Sequence, residues 1–289
     1  MGEILSGVIE GAAGAAVAWD LHLPREKGRP LVFICHGFKG FKDWGFFPDL
    51  AQRLASSGYA ALRFNYGHNG VGLGASATEF TRLDLFEQDR MSYRVEDLRR
   101  LHEALVTRSL PGAEAVDVER LGIFGHSMGG AVAIIGQHEL SLAVLVTLAS
   151  IASTAFPPEQ AHIIASEGRL LIPNARTGQL MPVGRAALED VRQHADRFDL
   201  KRLAAEAAVP WLLVHGSEDT SVPVQAAREL HAAASSPLVE LDIIPGADHT
   251  LGVRHPFSGP TPAYERFVGD FLAFLDRHLD LRAPGPSSD

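Results

Sequence analysis

The chain has 289 residues with a single cysteine, and its 26 basic and 35 acidic side chains leave a net charge of −9. That excludes an intramolecular disulfide and a cysteine-rich metal site, and the acidic balance argues against nucleic acid or an anionic membrane surface as partner. With 46% hydrophobic and 21% charged residues, the composition is that of a globular chain able to bury a large core.

Residues 5–10 and 15–23 read as two strands of an antiparallel hairpin around a Gly/Ala turn. The segment opens with Glu3 and has no basic n-region, so it makes a poor signal peptide, and a cytoplasmic location is expected. No apolar run approaches the ~20 residues of a membrane span. Residues 31–35 form a short continuous apolar run, as in a strand covered on both faces. Phe47, Leu50 and Leu54 mark a helix that breaks at Gly58, and residues 59–64 return to strand. The glycines of residues 70–74 read as a flexible surface loop. Leu98, Leu101 and Leu105 sit at helical spacing within 96–106.

Strands are predicted at 121–124, 142–148, 211–214 and 238–244, and helices at 131–137, 224–233 and 263–278. Strand and helix alternate with short connections, which means a mostly parallel central sheet with helices on both faces, an α/β fold. The rhythm breaks at 151–209. There 169–173 and 179–183 flank Asn174-Ala175-Arg176-Thr177-Gly178 as a hairpin, and 187–197 reads as a helix. We take this stretch as a small inserted cap. The expected organisation is then a core in two parts, 1–150 and 210–281, with the cap at 151–209 and a Pro/Gly/Ser-rich, disordered tail at 282–289.

The strongest chemical signal is Gly125-His126-Ser127-Met128-Gly129, a G-x-S-x-G with an apolar strand before it and a small-residue helix after it. A serine on such a tight turn is forced outward into a cleft, and the helix start supplies free N–H groups and positive potential for a developing oxyanion. No His-Glu-x-x-His is present and no calcium-loop spacing, so no metal is expected.

With these residues the sequence resembles the α/β-hydrolase fold family over 31–278. Three further motifs in the family's order carry the likeness. His36-Gly37-Phe38 resembles the oxyanion loop, which implies backbone N–H donors at Phe38 and Met128, with His36 bracing the loop. His215-Gly216-Ser217-Glu218-Asp219-Thr220-Ser221-Val222-Pro223 is similar to the loop of the triad acid and points to Asp219, with Glu218 its nearest rival. Gly246-Ala247-Asp248-His249 resembles the loop of the catalytic histidine and points to His249 over nearby His255, with Asp248 shaping the loop. The resemblance implies a Ser127–His249–Asp219 serine hydrolase that cleaves carboxylic esters through an acyl-enzyme and needs no cofactor.

Acyl transfer, thioester cleavage or perhydrolysis by the same triad, and a ligand-binding receptor on a hydrolase scaffold, stay open alongside. The partner expected is a small-molecule ester, with neutral substrates favoured by the net charge and substrate contacts sought at His36, Gly37, His68, Asn69, Arg176 and Gln179. The hairpin-plus-helix insertion further resembles the compact cap of bacterial feruloyl and cinnamoyl esterases. Oligomeric state is not legible in the sequence, and a homodimer stays open.

Overall fold

A computed structural model describes residues 2–74, 79–279 and 281; the tail expected at 282–289 lies outside them. An eight-stranded sheet runs in the order β1 (Ile4–Glu10), β2 (Ala16–His22), β4 (Ala60–Phe64), β3 (Arg29–Cys35), β5 (Val116–His126), β6 (Val144–Leu148), β9 (Trp211–Gly216), β10 (Val239–Ile244). β1 and β2 form the expected antiparallel hairpin, and β2 is antiparallel to β4. Every pairing from β4 to β10 is parallel.

Alternation along the strands divides the core into two layers. In β3, Leu31, Phe33 and Cys35 face one side, where α3 (Met91–Val106), α4 (Met128–Glu139), α7 (Leu200–Ala205) and α8 (Gln225–Ala233) pack. Val32 and Ile34 face the other, against α1 (Phe47–Ser56) and α9 (Pro262–His278). A strand covered on both faces has no polar side, which is why these strands read as continuous apolar runs.

Several elements extend past their predicted ends. α3 begins at Met91 because Met91, Val95 and Leu98 continue its apolar stripe. β5 begins at Val116 although polar residues follow; the Asp117 carboxylate takes up Glu119 N and Arg120 Nε, which satisfies that polar start. The 70–74 loop is only partly at the surface. Gly70 and Gly72 are buried, and a Cβ on Gly70 would lie 2.8 Å from that of Phe86.

Between β6 and β9 lie α5 (Pro158–Glu167), an antiparallel pair β7 (Arg169–Pro173) and β8 (Leu180–Gly184), and α6 (Arg185–Gln193). Through Ile164, Met181 and Leu188 these elements make their own small apolar cluster with Phe41, Phe80 and Phe86, the last at the end of a short helix α2 (Leu83–Phe86). α5 was not predicted, although Pro158 at its start and Gly168 at φ 84° after its end are ordinary helix boundaries. α7 was not predicted either; it lies within the 151–209 stretch taken as the insertion but packs into the main core through Leu200, Leu203 and Ala204. Its start is capped by Asp199, whose side chain accepts from Lys201 N and Arg202 N.

Candidate active site

Ser127 lies between the end of β5 and the first turn of α4, at φ 57° and ψ −123°. A non-glycine residue in such a conformation costs of order 1–3 kcal/mol and persists only where its surroundings over-determine it. Here they do. Ser127 N donates to Leu148 O at 2.9 Å, and Gly130 N donates to Ser127 O at 2.9 Å. A Cβ on Gly125 would stand 2.3 Å from Gly129 O, and one on Gly129 would stand 2.2 Å from Cys35 O. Both glycines of the pentapeptide are therefore required by close backbone approach.

The loop after β3 closes over the serine, where a Cβ on Gly37 would come within 2.9 Å of the Ser127 Cβ. His36 sits behind this loop, 1% exposed, with Nδ1 donating to Gly37 O at 2.9 Å. Burial and the nearby Arg94 charge push its pKa down to about 3, so it is a neutral brace. Asn69 is buried beside it, its Nδ2 3.5 Å from His36 Nε2.

The acid and the imidazole come from the ends of β9 and β10. His249 Nδ1 donates to Asp219 Oδ2 at 2.7 Å. The other carboxylate oxygen accepts Ser221 N at 2.8 Å and Val222 N at 2.9 Å. The Nε2 of a second imidazole, His215, lies 3.2 Å from the same Oδ2 and donates to Val222 O at 2.8 Å, so one N–H is shared between the two oxygens. Burial works against the Asp219 charge, but hydrogen bonds from His215, His249 and Val222 N outweigh it and hold the carboxyl well below the usual range. His126 carries the other side of the loop, with Nε2 donating to His249 O at 2.9 Å. Burial, reinforced by His249, lowers the His126 pKa to about 3.

The rival residues have other surroundings. Glu218 is exposed. His255 accepts Gly45 N on Nδ1 and packs its ring on Phe41 and Trp44. Asp248 Oδ1 takes Thr250 N and Gly252 N, shaping the loop on which His249 sits.

Ser127, His249, Gly37, Phe38 and Arg176 line one cleft of about 240 Å³. A more apolar cavity of about 260 Å³ adjoins it at Phe38 and runs from Met128 under the insertion, past Phe86, Phe156 and Val183. His36, His68, Asn69 and Gln179 line neither space. The His68 ring lies 4.7 Å from that of Tyr93, and Gln179 Nε2 donates to Phe80 O at 2.9 Å, fastening the hairpin to the core. Lys39, Trp44 and Asn174 line the cleft without having been singled out individually in the sequence. Only adjacency to the His-Gly-Phe loop and to the hairpin tip could have pointed to them.

A family model described as the alpha/beta hydrolase family matches residues 31–278, and the chain belongs to that family. Solved structures share the fold over almost the whole chain. An esterase domain from Rhodothermus marinus is 21% identical with a TM-score of 0.64, covering 96% of this chain and 99% of that one. Est1E from Butyrivibrio proteoclasticus, in a structure with bound ferulic acid, is 19% identical with a TM-score of 0.68, covering 95% and 99%. The alpha/beta hydrolase GrgF from Penicillium is 18% identical with a TM-score of 0.67, covering 96% and 99%. At these identities the likeness is one of fold. No curated protein matches the chain. Among the described residues no helix is long and apolar enough to cross a membrane.

Proposed function

We propose that the protein is a serine hydrolase that cleaves carboxylic esters of small molecules through an acyl-enzyme. The observation that carries this reading is the 2.7 Å bond from His249 Nδ1 to Asp219 Oδ2, with His249 sharing the cleft of a strained Ser127. With Nδ1–H committed to the carboxylate, Nε2 keeps its lone pair and can take the Ser127 proton as Oγ attacks the ester carbonyl. The resulting oxyanion is received by the backbone N–H groups of Phe38 and Met128, which need no reorganisation as charge develops. The imidazolium returns its proton to the leaving alcohol, and water then releases the acid from Ser127 by the same steps in reverse.

Residues 151–193 act as the cap, roofing the apolar cavity beside Met128, where the acyl group lodges. The ferulic acid held by Est1E makes aromatic acyl groups one class to include in an ester panel. A fluorophosphonate probe should label wild type on Ser127 and leave Ser127→Ala unlabelled, alongside turnover of p-nitrophenyl esters by wild type alone. An unlabelled wild-type protein that binds esters without cleaving them would overturn the reading in favour of a receptor. Product partition between water, alcohol and peroxide separates hydrolysis from acyl transfer and perhydrolysis.

A further inference from the structure

The cleft containing Ser127 and His249 carries two cations, Lys39 and Arg176, and no carboxylate lines it among the described residues. Lys39 Nζ donates to Pro173 O at 3.1 Å and lies against Phe38. The Arg176 guanidinium lies over the rings of Phe41 and Phe80. Burial lowers the pKa of both cations, as it does for a positive charge with no acid to offset it. Most cations of this acidic protein are placed otherwise: Arg53, Arg63, Arg94 and Arg277, for example, each hold a carboxylate.

A separate observation falls on the same wall. Asn174, at the start of the β7–β8 turn, is only 6% exposed and lines the cleft. Its Oδ1 accepts Arg176 N at 3.2 Å, while its Nδ2 has no partner among the described residues. A buried donor left unpaired is costly, and such groups call for a ligand or water. A neutral donor and two cations with no carboxylate partner, lining one cleft, have the chemistry to receive an oxyanion. Arginine suits that task through its paired N–H groups, and charge-assisted bonds are the stronger kind.

The side of the substrate that meets this wall follows from His249. The leaving oxygen must be within reach of the imidazole that protonates it, and His249 lines this cleft but not the apolar cavity. We propose that Asn174, Arg176 and Lys39 bind an anionic oxygen group, a carboxylate or a phosphate, carried by the leaving alcohol of the ester. This rests on the ester-hydrolase reading above and deepens it. The substrate class is an ester of an apolar acid with a hydroxy acid or a phosphorylated alcohol. The local field then opposes the net charge of −9, so recognition is made by the site itself and not by long-range attraction.

The test compares matched esters of one acyl group. 3-Carboxy-4-nitrophenyl butyrate is set against its neutral methyl ester, and 2-(butyryloxy)ethyl phosphate against 2-(butyryloxy)ethanol. In wild type the charged member of at least one pair should have a kcat/KM about tenfold above its neutral partner, and the pair that responds tells carboxylate from phosphate. Added salt should erode the ratio. Arg176→Glu should bring it to one or below, Asn174→Ala should lower it partly, and Arg176→Lys should keep most of it. A wild-type ratio of one in both pairs, or a ratio untouched by Arg176→Glu, overturns the anion site. The neutral esters keep the two claims apart: if they are cleaved and the ratios are one, the anion site alone falls. If no ester of either kind is cleaved, both readings fall.

Discussion

The turn that carries Ser127 and the hairpin tip at 174–178 line the same cleft, and glycine means something different in each. At Gly129 a single added carbon would lie 2.2 Å from a backbone oxygen, whereas at Gly178 nothing lies within 4 Å and only φ, at 72°, favours glycine. The first wall is locked by backbone packed against backbone. The second is held by its own turn, with Gly178 N and Thr177 N donating to Asn174 O at 2.8 and 3.2 Å, and by a few side-chain ties such as Gln179 to Phe80. In the proposed mechanism the first wall does the chemistry, and its packing tolerates no change of shape. The second would meet the variable part of the substrate, and its open turn can change without unfolding the core.

That contrast can be broken or sharpened by substitution. Ser127→Ala should cost on the order of 10⁶ in kcat on p-nitrophenyl esters with little change in melting temperature. Residual turnover near wild type in a clean preparation would detach the chemistry from this turn. Asp219→Asn should cost about 10⁴ in kcat by leaving His249 in the wrong tautomer, read by the same assay. Gly129→Ala should destabilise by about 3–5 kcal/mol or prevent folding. Gly178→Ala should cost only about 1–2 kcal/mol. Denaturant titration of the two variants measures the difference directly, and equal losses would erase the comparison.

Stability is also expected to depend on pH through the buried histidines behind the first wall. His36 and His126 have folded pKa values lowered to about 3 from 6.5. The unfolded chain therefore binds more protons between these values, and stability falls as pH drops from about 6.5 towards 3. Asp97, raised by burial to about 7 from 3.8, works the other way, since the folded state then binds the extra proton and stability falls as pH rises through that window. His22, lowered by burial to about 4, adds a third imidazole, and three imidazoles against one carboxyl leave a net loss on the acid side. Melting temperatures between pH 7 and 4 should decline, and more gently in His36→Asn. A slope the same in wild type and variant would remove His36 from the account.

Much of the fold was legible because doubly covered strands are unbroken apolar runs and helices on the sheet repeat their leucines every three or four residues. α5 and α7 escaped because neither shows a sustained stripe. α5 buries only Ile164 within its helix, and α7 is six residues long. The site was legible as four motifs, each a local consequence of a strand end and a turn. Of the expected substrate contacts only Gly37 and Arg176 line the cleft, because a polar residue near a strand end can equally brace a loop. His36 and Asn69 are buried behind the serine loop, while Lys39, three residues beyond His36, lines the cleft.

The sequence by itself determined the order of the sheet strands and most of the helices, through periodicity, and the tight turn at Ser127, through short-range backbone geometry, whereas the candidate acid and imidazole came from the resemblance of their loops to those of the family. Only the tertiary structure decided that Asp219 and not Glu218 meets His249, and that His215 holds the same carboxylate oxygen. It also set Lys39 and Arg176 along one cleft although 137 residues separate them (176 − 39). The reason is that a burial pattern says which side of an element is covered, whereas the partner of a polar atom depends on which loops the sheet order brings together.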